Sequence, residues 1–266
     1  MDILSIIGLV GAFAVVFVGI AIAGGGFIPE RAFAFLDAAS FALVVGPTIF
    51  SLMLMFPMKV FAGLGKAFKK IFVPEKFNPQ MYITEIVNIA QDVRRNGLLS
   101  IDEKIPTYKD EFLRKGLQLA VDSTEEEMLR DIMETELGFM IDRHRLGVQW
   151  FEKGAALAPA FGMVATLIGL INMLGDMDDP DSLMANMGMA MITTVYGCLL
   201  ANIVFLPIGN KLQKRSDEEV LCKQIVIEGV LSIVNGENPN QIREKLTSYI
   251  PPAMRKNLSA EARDAE

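Results

Sequence analysis

"GAALAPAFGMVATLIGLINML", residues 154–174, decides the fold. At about 1.5 Å per helical residue its length matches a hydrocarbon core about 30 Å thick, and it holds no Asp, Glu, Lys or Arg. A lipid-soluble helix could be built from leucine alone. This one instead carries Ala155, Pro159, Gly162, Thr166 and Gly169 at spacings of 4, 3, 4 and 3, which places all five on one helical face. In lipid, apolar side chains gain little by contacting one another, so helices associate through close packing along small residues and through interhelical hydrogen bonds. The stretch therefore predicts a membrane-spanning helix with a thin packing face.

Three further stretches pass the same test: Ile3 to Ala23, Ala38 to Met58 and Met184 to Gly209, again without Asp, Glu, Lys or Arg. The last repeats the device with Ala190, Thr194, Gly197 and Ala201 at spacings of 4, 3 and 4. Gly162, Gly169, Gly197 and Ala201 are read as helix-packing positions. A hydrophobic fraction of 52% and a mean hydropathy of +0.36 fit a chain with several spans better than a soluble domain. The first span has no Lys or Arg before it and no Ala-x-Ala site after it, so it is expected to be retained. Arg31 is the only basic residue in the connections 24–37 and 175–183. By the positive-inside rule these lie outside, and both termini and the central segment are cytoplasmic.

The predicted fold is an all-α membrane protein, with four transmembrane helices and a helical cytoplasmic domain inserted between helices 2 and 3. Its divisions are residues 1–58 (spans 1 and 2), 59–153 (cytoplasmic domain), 154–210 (spans 3 and 4) and 211–266 (C-terminal helices and tail). From Glu111 to Trp150 a helical apolar stripe runs on both sides of a break at Asp122 to Glu127, where Thr124 and Glu127 form a capping box. Lys211 to Val234 reads as an amphipathic helix, Gly236 as its stop, and Asn238-Pro239 as the start of another. The tail from Pro251 is polar and expected to be loose.

The formal net charge of −7 argues against a nucleic-acid partner. Cys198 and Cys222 are expected to be small buried thiols in a reducing compartment. His144 lacks a Cys or His partner at metal-ligand spacing, and no phosphate loop or nucleophile-base set appears. No enzyme, cofactor or metal centre is expected. In "GDMDDPDS" the acids could draw cations to a pore mouth, or Asp178, Asp179 and Asp181 could shape a turn and cap the fourth helix.

Proton and sodium pathways use ionisable groups inside the membrane, and none of the four stretches has one. If the chain handles an ion gradient, another chain must supply the carboxylate. Thr166 and Thr194, each three residues before a stripe glycine, could form a shared polar patch that replaces part of a cation's hydration shell. Each could equally bond its own i−4 carbonyl. Pro159 and Pro207 each remove a backbone donor, and two readings stand: hinges that link membrane events to the cytoplasm, or static kinks.

"APAFGMVATLIGLINMLGDMDDP" (158–180), "MITTVYGCLLANIVFLPIGNKL" (191–212) and "IVIEGVLSIVNGENPNQIREKL" (225–246), with "MDILSIIGLVGAF" (1–13) and "VRRNGLLSIDE" (93–103), closely resemble the A subunit of the bacterial flagellar stator, the MotA and PomA family. The resemblance runs from Met1 to about Pro251. It implies a ring of A subunits, a pentamer, around two copies of a MotB/PomB-like B subunit whose single span carries the ion-binding Asp. Cation flow, of sodium or protons, would turn the ring against the rotor protein FliG at the inner membrane. Carried over by position, Arg94, Arg95, Asp102 and Glu103 contact the rotor, Pro159 and Pro207 couple ion flow to rotation, and Thr166 and Thr194 line the ion path in the manner of sodium-driven relatives. Ile105 departs from those relatives, which tend to carry another acid there. The alternatives are an ExbB/TolQ-type energiser, disfavoured by the four spans and "RRNG", and a secondary transporter subunit, which would need inverted repeats that the sequence lacks.

Overall fold

A computed structural model of the chain describes residues 3–23, 27–72, 77–175, 177–252 and 255, with residue 31 and residues 66–72 described by backbone alone. Every regular element among the described residues is helical. In chain order these are α1 (Ile3–Ile22), α2 (Glu30–Phe33), α3 (Ala38–Met55), α4 (Met58–Phe72), α5 (Pro79–Asn96), a 3₁₀ segment (Leu98–Thr107), α6 (Glu111–Val121), α7 (Glu126–Gly175), α8 (Pro180–Leu199), a π segment (Leu200–Phe205), α9 (Leu206–Val234) and α10 (Pro239–Thr247). Four helices are long and apolar enough to cross a membrane, so the chain is an all-α membrane protein with a helical region between its second and third spans. The chain forms two compact units. One combines Met1–Glu75 with His144–Lys214, and the other Lys76–Arg143 with Arg215–Glu266; we call them the spanning unit and the polar unit.

In the spanning unit, α3 packs on α8. The α3 face that packs is set by Ser40, Val44, Thr48 and Leu52, four residues apart and all buried. The Thr48 hydroxyl donates to the Val44 carbonyl at 2.6 Å, which satisfies it within its own helix. Asp37 caps α3 by accepting from Ser40 N–H at 2.7 Å. The second span ends at Met55 rather than Met58, because Phe56 precedes Pro57 and is held extended at φ −122°. The fourth begins at Pro180 rather than Met184, because the helix starts at its cap, Asp179, and not where the charges stop.

The polar unit has an apolar core of Ile83, Ile86 and Val87 from α5, Ile101 and Ile105 from the 3₁₀ segment, Leu113 and Leu117 from α6, Leu129 and Met133 from α7, Ile225 and Val230 from α9, and Ile242 and Leu246 from α10. Asn78, Asp110 and Asn238 cap α5, α6 and α10 through their side chains. Gly236 closes α9 at φ 66°. The break between α6 and α7 lies where the sequence places it, with α7 beginning at Glu126.

Cys222 is buried as expected, but Cys198 is exposed on α8. A small residue on a spanning helix can sit on either face, and Cys198 lies one position beyond the packing glycine Gly197. The tail from residue 256 onward lies outside the described residues.

Candidate ion-path seam and charged edge

The two small-residue stripes meet. A Cβ on Gly169 would lie 2.9 Å from that of Ala190, one on Gly162 would lie 3.1 Å from the Thr193 carbonyl, and one on Gly197 would lie 2.7 Å from the Ala158 carbonyl and 3.1 Å from Pro159 Cα. Later α7 positions thus meet earlier α8 positions, as in an antiparallel pair. Ala201 is buried in the same pair. The seam extends further than the stripes predict: the Phe205 ring occupies the space over Gly154, where a Cβ would lie 2.6 Å away, and Gly209 sits on Phe151 Cβ at 3.1 Å. Trp150, Phe151 and Phe205 close that end as an aromatic cluster.

Hydroxyls gather in the middle of the seam. Thr166 Oγ1 lies 2.6 Å from Thr194 Oγ1 and 3.3 Å from Thr193 Oγ1. It is also within 2.9 Å of the carbonyls of Gly162 and Ala190. Thr193 donates to Ala190 at 2.9 Å, and Thr194 reaches the same carbonyl at 3.4 Å. A threonine hydroxyl has one proton and two lone pairs, so Thr166 serves one carbonyl at a time. What results is a group of neutral oxygens, with more acceptor capacity than the three protons can fill. Both sequence readings of the threonines hold together: each bonds within its helix, and the two share one patch. Thr193, buried and central, is a member that spacing missed; its signal was the doubled threonine at 193 and 194.

Pro159 lies within α7, which continues through it, with its backbone against Gly197. Pro207 follows the π segment, where Leu206 N–H bonds back five residues to the Ala201 carbonyl. The physical cause lies in the proline: it offers no N–H, and its ring crowds the carbonyl four residues back, so the preceding turn widens.

In the polar unit, Arg94 and Arg95 end α5, and Asp102 and Glu103 lie on the 3₁₀ segment that follows Gly97. Gly97 has φ 85°, a left-handed turn that glycine adopts without penalty. All four charged residues are exposed, and none makes an ion pair among the described residues. Lys104, their neighbour, is paired with Asp92 at 2.8 Å. Ile105 is a buried core residue, so the missing acid is a position turned inward rather than a gap in the exposed edge.

Behind this edge lies a buried ionic group that sequence reading missed. Lys223 on α9 contacts both carboxylate oxygens of Asp110, at 3.0 and 2.7 Å, and Tyr82 on α5 donates to Asp110 at 2.6 Å. Burial alone would raise the Asp110 pKa, but hydrogen bonds from Lys223, Tyr82 and Leu113 N–H outweigh it and hold the carboxyl below its usual range. Burial, then the bond to Asp110, pushes the Tyr82 phenol up. Burial also pushes the adjacent Cys222 thiol up to about 12. No periodicity announces such a group, because Asp110 and Lys223 are far apart in sequence.

Residues 104–225 match the MotA/TolQ/ExbB proton channel family. The chain is 38% identical over 261 residues to motility protein A of Treponema pallidum, covering 98% of each. It belongs to this family, on the motility protein A branch. Within the branch it is also 36% identical over 250 residues to chemotaxis protein PomA of Vibrio alginolyticus, covering 94% of this chain and 96% of PomA. The flagellar MotAB stator complex of Bacillus subtilis superposes with a TM-score of 0.85 at 32% identity, covering 95% of this chain and 97% of the other.

Proposed function

We propose that the chain is the A subunit of a flagellar stator, a multi-pass inner-membrane protein that couples cation flow to rotation of the flagellar rotor. The observation that carries this reading is the α7–α8 seam, where hydroxyl and carbonyl oxygens cluster within about 3 Å of Thr166 and no charged residue occurs between Gly154 and Leu174. Hydroxyl and carbonyl oxygens can replace part of a cation's hydration shell, yet they do not bind or release a proton near neutral pH. A B subunit is the source of the missing carboxylate, as its span packs beside a ring of A subunits, five by the family resemblance. Neutral oxygen ligands favour sodium as the transported ion.

Both termini and the polar unit face the cytoplasm in this reading, where Arg94, Arg95, Asp102 and Glu103 meet the rotor protein FliG. Exposed charges suit a contact that must form and release quickly, since they steer encounter and are screened by solvent. Pro159 and Pro207 transmit the membrane step, and the widened turn before Pro207 supports a helix that can readjust there.

Swimming speed against sodium at fixed pH tests the ion: speed should fall as sodium is removed and fall further with Thr166→Ala, and motility unchanged without sodium would exclude sodium coupling. Vesicles holding this chain without its partner should not conduct sodium or protons; a selective leak would overturn the shared-site reading.

A further inference from the structure

We propose that Leu99 is the apolar centre of the rotor contact, ringed by Arg94, Arg95, Asp102 and Glu103, and that it docks into an apolar socket on a partner surface bearing charges of both signs. The inference rests on the reading of those four residues as a rotor contact.

Leu99 is 77% exposed, the most exposed large apolar side chain among the described residues of the polar unit. Its neighbour Leu98 packs against the core, and Ile101 and Ile105 are buried in it, so the segment is anchored on one side while Leu99 stands on the other. The frame is also tied at its start. Ser100 N–H and Oγ–H both bond to the Gly97 carbonyl, at 3.2 and 2.6 Å. With three residues per 3₁₀ turn, Leu99 and Asp102 fall on the same edge.

The surrounding charges supply the second half of the argument. Arg94, Arg95, Asp102 and Glu103 are left without ion pairs among the described residues, although Lys104 and Asp92 show that this surface can pair its charges. An apolar residue at the centre of a polar, unpaired rim is the anatomy of a binding hot spot. The two parts do different work. Charges speed encounter and fade with salt, whereas burying a leucine holds the contact at any ionic strength. A motor contact that forms and releases under load needs both.

The test measures binding of the purified stator complex to immobilised rotor protein, at ionic strengths of about 0.1 M and about 1 M, where the Debye length is about 10 Å and about 3 Å. Leu99→Gln should weaken binding about tenfold at both strengths, and Leu99→Met should stay within about twofold of the parent. Arg94→Glu and Asp102→Lys should weaken binding at low salt and lose much of that effect at high salt. If Leu99→Gln binds like the parent, or differs from it only at low salt, while the charge reversals weaken binding, the apolar centre is wrong and the rotor contact stands. If the reversals also leave binding unchanged, the rotor-contact reading itself fails.

Discussion

The α7–α8 seam of the spanning unit is made by residues with almost no side chain, Gly162, Gly169 and Gly197, whereas the helices of the polar unit meet through Ile86, Leu117, Met133 and Ile225. The polar groups differ in the same sense. In the seam they are neutral hydroxyls that bond to helix carbonyls; in the polar unit the buried polar contact is a full ion pair, Lys223 with Asp110. Solvent accounts for the difference. Water drives large apolar side chains together, so the polar unit gains stability from bulk and can carry one charged pair within it. Lipid supplies no such drive, and backbones must come close enough for dispersion and hydrogen bonds to act.

The sharpest way to break this comparison is in the polar unit. Lys223→Met leaves the Asp110 carboxylate buried without its cation, and should cost about 3–5 kcal/mol, read as a large fall in the unfolding midpoint of the detergent-solubilised chain. Adding Asp110→Leu should return most of the loss, since an apolar pair of similar volume removes both desolvation costs. The pH dependence has a fixed sign. The folded Asp110 pKa lies below its unfolded value of about 3.9, so its contribution is present above about pH 4 and is lost as pH falls through the folded value. The gap between the parent and Lys223→Met should therefore narrow in acid. A gap that stayed constant to low pH would mean that Asp110 does not carry the charge.

Next in size is Gly197→Ala. The new Cβ would meet the Ala158 carbonyl at 2.7 Å, a backbone atom that cannot swing away, so the helices must separate at a cost of about 1–3 kcal/mol. Gly11→Ala on α1, where nothing lies within 4 Å, is the control and should be neutral or slightly stabilising. Midpoints from thermal unfolding of the two variants decide the point. Equal effects would show that the seam is loose and that the small-residue stripe is incidental.

These positions also mark how far the sequence could be read. The spans, the helical polar region, the caps at Asp179 and Asn238 and the two stripes follow from charge-free length and from spacing, which are local properties of the chain. Contacts between distant segments were not legible: the Phe205 ring over Gly154 and the three-part group of Tyr82, Asp110 and Lys223 depend on tertiary register. Thr193 was hidden for a different reason. A single 4-3-4 stripe selects Thr194 and skips its neighbour, yet at a close helix crossing two adjacent residues can both face the partner, and Thr193 is the more buried of the pair. The exposure of Cys198 shows the converse, that apolar character alone does not place a residue inside a membrane bundle.

Smaller effects should separate the units further. Thr166→Val keeps the shape and removes the hydroxyl, and should cost about 0.6 kcal/mol in stability while changing ion use far more, so stability and motility assays of one variant distinguish packing from conduction. Lys115→Ala is the smallest. Lys115 pairs with Glu136 across α6 and α7, but the two side chains are 51% and 41% exposed, so water screens the pair and the loss should stay below about 1 kcal/mol. The contrast with Lys223 is the argument, since both are lysine–carboxylate pairs in one unit and differ mainly in burial. If Lys115→Ala shifted the unfolding midpoint as much as Lys223→Met does, burial would not govern the worth of a charge here, and the account of the polar unit as an apolar core around one sequestered ion pair would fail with it.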